Sequence, residues 1–115
     1  MAADKLLVID DQIAIAELVA NVARTCGYET EITTNPDVFL RRVEVWKPSH
    51  LMLDLNMPVV DGVELLRHLA ARKTLARITI MSGLDGKVVE AARRLGIERG
   101  LDMAATLLKP FGASE

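Results

Sequence analysis

The chain has 115 residues, half of them hydrophobic, and a formal net charge of −2. This length predicts a single domain that can bury a core without disulfides or structural metals. The small net charge disfavours direct binding to nucleic acid or to an anionic membrane. The single cysteine, Cys26, excludes an internal disulfide, and the first residues lack the long apolar run of a signal peptide or a spanning helix. We therefore expect a cytoplasmic domain without membrane contact.

Short apolar strands alternate with amphipathic helices in the first half of the chain. The apolar run Lys5–Ile9 predicts a strand buried on both faces, and residues 28–33 predict a second, more exposed strand. Between them lies a helix that Gly27 is expected to end. Asn35 and Pro36 are typical of the start of the second helix, as N-cap and first helical residue. The stripe that the first helix is expected to turn to the core is Ile15, Leu18, Val19, Val22 and Cys26.

The same alternation continues through the second half of the chain. Asp61 and Glu64 have the spacing of a capping box at the start of the third helix. Val88, Ala92 and Leu95 are expected to face the sheet from the fourth helix. The remaining predicted elements are strands at His50–Asp54, Arg77–Met81 and Ala104–Leu108, and a fourth helix over roughly Asp85–Arg99.

Charged or hydroxyl groups stand at the carboxyl ends of four of the five predicted strands. Alternating strands and helices predict a parallel α/β sheet with helices on both faces, in which ligands bind at the carboxyl ends of the strands. These groups should therefore meet at one edge of the sheet. They are Asp10, Asp11, Asp54, Ser82 and Lys109.

The convergence of three acids and a lysine indicates phosphoryl chemistry assisted by a metal ion. Mg²⁺ takes oxygen ligands and keeps part of its water shell. Asp54 is the candidate nucleophile because a carboxylate can be phosphorylated to an acyl phosphate, while Lys109 and the metal would hold the phosphoryl oxygens. Taken singly, each residue has a plainer interpretation. Asp10 and Asp11 would be a helix cap and a surface acid, Asp54 part of a turn, and Lys109 a surface lysine.

Four motifs, in sequence order, give the chain a specific family resemblance. They are VIDDQ at Val8–Gln12, LMLDLNMPVVDG at Leu51–Gly62, IMSG at Ile80–Gly83 and LLKPF at Leu107–Phe111. With these motifs the chain resembles the receiver domain of response regulators in bacterial two-component signalling. The resemblance implies a flavodoxin-like, doubly wound sheet of five parallel strands in the order 2-1-3-4-5.

The resemblance also implies roles for the acids at the strand ends. Asp54 would accept phosphate from a histidine kinase or a phosphotransfer protein. Asp11 and Asp54 would ligate Mg²⁺ directly, the backbone carbonyl of Asn56 would be a third ligand, and Asp10 would act through water. Beyond its own phosphorylation and dephosphorylation, such a domain would not be an enzyme.

Residues near the fifth strand would read out the phosphorylated state. The resemblance implies that Ser82 and Lys109 contact the phosphoryl group and that the Lys109–Pro110 bond is cis. The switch position, three residues before the lysine, is usually aromatic in this family and is Thr106 here. Since threonine has no ring to move, we expect the fourth helix to carry the change. An output domain or partner protein would then bind the face formed by helix four and strand five.

Two more features depart from the family pattern. Lys109 lies 27 residues after Ser82, which is longer than expected, and the residues between predict a lengthened fourth helix. Within that stretch, residues 90–111 loosely resemble receivers fused to EAL-type cyclic-di-GMP phosphodiesterase domains. The chain also stops where a fifth helix should begin. We therefore expect residues 1–115 to be a receiver domain from a longer protein, or a homodimer in which a second chain covers the open face.

Two other functions remain open from the sequence. A phosphatase of the haloacid dehalogenase type also uses an aspartyl nucleophile on a parallel sheet, but it needs a second acid at the position that Asn56 occupies. A degenerate receiver would serve only as a docking module for other proteins. The complete set of predicted site residues favours an active receiver over both.

Overall fold

The chain folds into alternating strands and helices. A computed structural model describes residues 4–55, 62–83, 86–104 and 106–108. The strands in these ranges are β1 (Lys5–Ile9), β2 (Glu29–Thr33), β3 (His50–Asp54), β4 (Arg77–Ser82), β5 (Asp102–Met103) and β6 (Leu107–Leu108). The helices are α1 (Ile13–Thr25), α2 (Pro36–Trp46), α3 (Gly62–Ala71) and α4 (Gly86–Glu98).

All the strands pair in parallel in one sheet. The order is β2-β1-β3-β4, and the short strands β5 and β6 both pair with β4 on its other side. Together β5 and β6 fill the fifth position, so the predicted flavodoxin-like order 2-1-3-4-5 is confirmed. Because the strands run in the same direction and in this register, the carboxyl ends of β1, β2, β3, β4 and β6 lie along one edge of the sheet, whereas β5 pairs with the start of β4.

The central strands β1, β3 and β4 are largely apolar because helices pack on both faces of the sheet, whereas β2 at the edge is polar and only partly buried. Leu7, Leu51 and Ile78 belong to the larger core, which α2, α3 and α4 cover. Leu6 and Val8 point to the other face and pack with residues of α1. A continuous apolar run is therefore the right sequence signal for these strands, as it is for parallel strands in general.

The start of α2 and the turn after α1 lie where the sequence predicts, whereas the capping-box residue Asp61 lies outside the described residues. Asn35 caps α2, because its Oδ1 accepts hydrogen bonds from the backbone N–H groups of Asp37 and Val38, at 2.8 and 3.1 Å. After α1 the chain turns at Gly27, whose φ of +95° lies in the region that glycine adopts without strain. The four helices of the described ranges have 10 to 13 residues, and none of them is long and apolar enough to cross a membrane.

Helix α1 turns a different face to the sheet than its predicted stripe. Ala16, Ala20 and Ala23 are buried, whereas Leu18 and Val22 are 52% and 57% exposed. Apolar residues occupy most of the circumference of α1, so the apolar pattern alone does not select one stripe. The alanines face the sheet because their small side chains let the helix lie close to it. Helix α4 differs in a similar way, since Val89 is buried and the predicted Val88 is 44% exposed.

The fifth strand is not the single run Ala104–Leu108 that the sequence predicts. Met103 pairs with Ile78, and Leu107 pairs with Met81. Between these pairs the edge strand advances by four residues while β4 advances by three. Helix α4 has 13 residues, the same length as α1. The bounds Gly86–Glu98 are close to the predicted Asp85–Arg99, and the lengthening of this helix relative to the family stays a prediction.

Candidate functional site

Three carboxylates come together at the carboxyl edge of the sheet. One carboxylate oxygen from each of Asp10, Asp11 and Asp54 lies within 4.8 Å of the others. Ile9 of β1 pairs with Leu53 of β3, and Asp10 and Asp54 are the next residues in the two segments. The two acids are therefore neighbours. Asp10 and Asp54 are fully buried, whereas Asp11 is exposed. The sheet register thus builds the acidic cluster that the sequence predicts.

Asp10 is fixed by backbone contacts on both sides. Its Oδ1 accepts a hydrogen bond from the backbone N–H of Gln12 at 2.8 Å, and its own N–H donates to the carbonyl of Thr33 at 3.3 Å. Gln12, and not Asp10, is the N-cap residue of α1. The interpretation of Asp10 as an ordinary helix cap is therefore wrong, and its carboxylate is positioned within the acidic cluster instead.

Asp54 is held at the end of β3 by the ladder to β4. Asp54 pairs with Met81, and the next backbone N–H, that of Leu55, donates to the Met81 carbonyl at 3.0 Å. Ser82 follows Met81 and is fully buried. The last residues of β3 and β4 thus place a carboxylate and a hydroxyl group on adjacent strands.

Gly62 is a site-supporting residue whose role the sequence did not reveal. A Cβ atom added to Gly62 would lie 2.7 Å from Leu55 Cα, 2.7 Å from Leu55 Cδ2 and 3.2 Å from the carbonyl oxygen of Asp54. The start of α3 therefore lies directly against the end of the strand that carries the candidate nucleophile. Gly62 is the last residue of the motif Leu51–Gly62, so the sequence did mark this glycine. The close approach of Gly62 to β3 is a tertiary contact, which the sequence pattern does not show.

We expect Gly62→Ala to disturb both folding and the acidic cluster. The added methyl group would push against the backbone of Leu55, and overpacking of this kind costs about 1–3 kcal/mol of unfolding free energy. Urea unfolding and a Mg²⁺ titration measure the two effects. Gly27→Ala is the matched control: it strains a positive φ where nothing lies within 4 Å. It should lower stability without changing Mg²⁺ affinity. Equal Mg²⁺ affinity in both variants would contradict the positioning role of Gly62.

The cluster concentrates negative charge in a largely buried place. Two unit charges 4.8 Å apart repel by about 3.5 kcal/mol at an effective dielectric constant of about 20. A hard divalent cation offsets such repulsion, and carboxylate oxygens are the ligands that Mg²⁺ prefers. The donor set of Asp10, Asp11 and Asp54 therefore fits Mg²⁺ on chemical grounds.

Without divalent cations, Asp10→Asn should make the protein more stable. The amide keeps the acceptor oxygen for the Gln12 N–H but removes one charge from the cluster, so the unfolding free energy should rise by about 1–3 kcal/mol, or several degrees in Tm. Thermal unfolding in a chelator measures this change. Asp102→Asn, at the opposite edge of the sheet, is the control and should change little. A lower Tm for Asp10→Asn would show that repulsion among the three acids does not limit the stability of the protein.

The other predicted site residues fall partly within the described ranges. Ser82 is buried at the end of β4, and Thr106 is half-buried between β5 and β6. Leu108 pairs with Ser82 and directly precedes Lys109 in the sequence. Three predictions lie outside the described residues: the carbonyl ligand at Asn56, the phosphoryl contact of Lys109, and the cis bond between Lys109 and Pro110.

Comparison with known proteins gives the family. A model of the response regulator receiver domain family matches residues 6–115. The chain belongs to this family. The alkaline phosphatase synthesis transcriptional regulatory protein PhoP of Bacillus subtilis is 31% identical over 111 residues, which are 96% of this chain and 44% of that protein. The DNA-binding response regulator MtrA of Mycobacterium tuberculosis is 29% identical, over 96% of this chain and 46% of its own length. The receiver domain thus spans less than half the length of these curated relatives.

Solved structures share the fold. A response regulator from Colwellia psychrerythraea has a TM-score of 0.81 and 28% identity, covering 98% of this chain and 90% of that one. The response regulator TrrA of Thermotoga maritima has a TM-score of 0.77 and 21% identity, covering 95% and 89%. These comparisons do not support the looser likeness of residues 90–111 to receivers fused to EAL domains, which stays a prediction.

Proposed function

We propose that Asp54 accepts a phosphoryl group and that this receiver domain is an active phosphoacceptor. The observation that carries the proposal is the meeting of Asp10, Asp11 and Asp54 within 4.8 Å at the end of a parallel sheet. Asp54 ends β3, the strand that lies between β1 and β4. One of its oxygens would form a bond to the phosphorus atom of the donor, while the bond from phosphorus to the donor breaks and releases the histidine of the kinase or, from acetyl phosphate, acetate.

The three acids would have different roles at the metal. Asp11 and Asp54 would bind Mg²⁺ directly, the carbonyl of Asn56 would supply a third ligand, and Asp10 would act through water. The bound ion supplies positive charge for the phosphoryl oxygens. Asp10 suits the indirect role because its Oδ1 already accepts the Gln12 N–H. TrrA, which shares the fold, was solved in complex with Mg²⁺ and BeF, and this supports a site of that kind here.

Two further groups would contact the phosphoryl group itself. Ser82 would donate its hydroxyl to a phosphoryl oxygen, and its burial beside Asp54 supports that role. Lys109 would pair with the negative charge, since it follows Leu108, whose backbone pairs with Ser82. A cis bond between Lys109 and Pro110 would set the direction of the lysine.

The partners follow from the proposed reaction. A histidine kinase or a phosphotransfer protein would supply the phosphoryl group in the cytoplasm, and residues 1–115 would form the receiver domain of a larger protein. An output domain or partner would bind the face of α4 and the fifth strand. The named relatives include transcriptional and DNA-binding regulators, but the described chain itself has no strongly basic character for nucleic acid, given its net charge of −2.

Phosphoryl uptake separates the active receiver from a docking module. Incubated with Mg²⁺ and acetyl phosphate, the chain should gain one phosphoryl group by intact mass spectrometry, and a chelator should prevent the gain. A docking module would bind partners without any uptake, so an unchanged mass under conditions that label a known receiver would overturn the proposal. Steady release of phosphate from many small phosphate esters would instead favour the phosphatase alternative.

An apolar face beside α1, formed by described residues, would support self-association. A groove of about 450 Å³ runs along α1 and is lined by Leu18, Val22, Met52 and Thr79, among other uncharged residues. Leu18 and Val22 project from the surface that carries the groove. In a two-fold dimer the same surface of both chains meets, so the projecting side chains of one chain could enter the groove of the other. The described lining residues include no Asp, Glu, Lys or Arg, so no like charges oppose each other across such an interface.

We expect Leu18→Lys to raise the dissociation constant of a homodimer by at least about tenfold, which corresponds to ~1.4 kcal/mol. The substitution would place a positive charge on each side of the contact, and like charges repel. Sedimentation velocity over a concentration series measures the effect. Val45→Lys is the control, since Val45 is 68% exposed on α2, away from the groove. A parent chain that stays monomeric at the highest concentration would contradict the homodimer.

A further inference from the structure

A second groove lies at the amino-terminal edge of the sheet, opposite the acidic cluster. It has a volume of about 490 Å³ and is lined by residues 43–44, 47–49 and 72–76, where α2 and α3 end and β3 and β4 begin. We call it the amino-edge groove. Because β3 and β4 run in parallel, this groove and Asp54 lie at opposite ends of the same strands. A role for the groove is therefore separate from the proposed phosphoryl chemistry.

The amino-edge groove carries positive charge in a chain whose formal net charge is −2. Its charged lining residues are Glu44, Lys47, Arg72 and Lys73. Arg72 Nε donates to Glu44 Oε2 at 2.6 Å, so these two charges offset each other. Within the part of the chain that the structure describes, neither Lys47 nor Lys73 forms an ion pair. Two lysine charges therefore remain for a partner.

Both lysines adopt a backbone conformation that disfavours them. Each of the four helices in the described ranges is followed, within two residues, by a residue with positive φ. After α1 and α4 this residue is Gly27 or Gly100, and glycine adopts the conformation without strain. After α2 and α3 it is Lys47, with φ of +53°, or Lys73, with φ of +56°. Lysine is strained there, and strained residues concentrate at functional sites. Both exceptions line the same groove.

An exposed leucine adds an apolar contact to the amino-edge groove. Leu75 is 94% exposed, more than any other large hydrophobic residue of the described ranges. Val43, Pro48 and Ala76 also line the groove and are buried, so the deeper part of its wall is apolar. Burying an exposed leucine side chain against a partner is favourable. The groove thus offers an apolar contact beside the two lysine charges.

We propose that the amino-edge groove binds an acidic segment of a partner protein, whose carboxylates contact Lys47 and Lys73 and whose apolar side chain packs against Leu75. Charge complementarity selects an acidic partner. A polypeptide fits better than a nucleic acid, because nucleic acids are held through many phosphate contacts and have no use for an exposed leucine. The contact does not depend on phosphorylation of Asp54, which lies at the other end of β3.

A displayed library of random short peptides is the probe that tests this proposal. Peptides are selected on the parent chain after removal of those that bind the double variant Lys47→Gly/Lys73→Gly. We expect the recovered peptides to carry a net negative charge and at least one large apolar residue. Recovery of neutral or basic peptides, or of none, would overturn the proposal. Binding of a random single-stranded oligonucleotide as tightly as the peptides would also overturn it.

Matched variants separate peptide binding from folding. Lys47→Gly and Lys73→Gly each relieve left-handed strain, so each should keep or raise the urea midpoint while weakening binding of the recovered peptides by about threefold at low salt. Leu75→Ser should weaken binding by about tenfold. Lys87→Ala, on α4 and outside the groove, is the charge control and should bind as the parent does. A lower urea midpoint with unchanged peptide binding would show that the lysines serve only the ends of α2 and α3, and would overturn the proposal.

Discussion

Asp54→Asn is expected to abolish phosphoryl uptake. The substitution keeps the size of the side chain but replaces the charged carboxylate, so no oxygen remains that can form an acyl phosphate. It also removes one of the three acids that lie within 4.8 Å of each other, and with it part of the metal site. Intact mass after incubation with Mg²⁺ and acetyl phosphate should show full labelling of the parent chain and none of the variant.

Two controls make this result specific. Ser82→Ala removes a hydroxyl that would contact the phosphoryl group without forming a bond to it, so labelling should become slower but not disappear. Asp102→Asn removes a carboxylate at the opposite edge of the sheet and should label as the parent does. Labelling of Asp54→Asn at the parent rate would overturn the assignment of the nucleophile.

Asp11→Ala should lower Mg²⁺ affinity much more than Asp10→Ala. Asp11 is the exposed member of the cluster and is proposed as a direct ligand, so we expect its loss to cost more than about 100-fold in affinity. Asp10 is held by the Gln12 N–H and is proposed to act through water, and loss of such an indirect contact typically lowers metal affinity by about 10- to 100-fold. Isothermal titration with Mg²⁺ measures both.

The comparison needs a correction for charge. Either substitution also relieves repulsion within the cluster, so unfolding curves recorded in a chelator should accompany each titration. Asp11→Asn and Asp10→Asn serve as matched variants that keep side-chain size. The same Mg²⁺ affinity in the two alanine variants would contradict the division between a direct and an indirect ligand.

The sequence predicts the strands and the acidic cluster well because both depend on local signals. A parallel strand buried on both faces is a short apolar run, and the bounds of β1 and β3 agree with the predicted Lys5–Ile9 and His50–Asp54. Since parallel strands share a carboxyl edge, the acids that follow β1 and β3 must become neighbours. The position of Asp10 beside Asp54 therefore follows from strand order and register.

Other features depend on contacts that periodicity does not encode. Helix α1 is apolar around most of its circumference, and close packing selected Ala16, Ala20 and Ala23 over the larger Leu18 and Val22. The apolar run Ala104–Leu108 predicted one fifth strand but did not reveal that β5 and β6 pair separately with β4. In the same way, the need for glycine at position 62 arises from the approach of α3 to β3.

Mapping the modified residue tests the central claim most directly. The chain is phosphorylated with acetyl phosphate and Mg²⁺ and then reduced with borohydride, which converts an aspartyl phosphate to homoserine. The reduced chain is digested, and its peptides are analysed by mass spectrometry. We expect conversion at Asp54 alone, with Asp10 and Asp11 recovered as aspartate. Conversion at Asp10 or Asp11, or labelling confined to a histidine or serine, would contradict it.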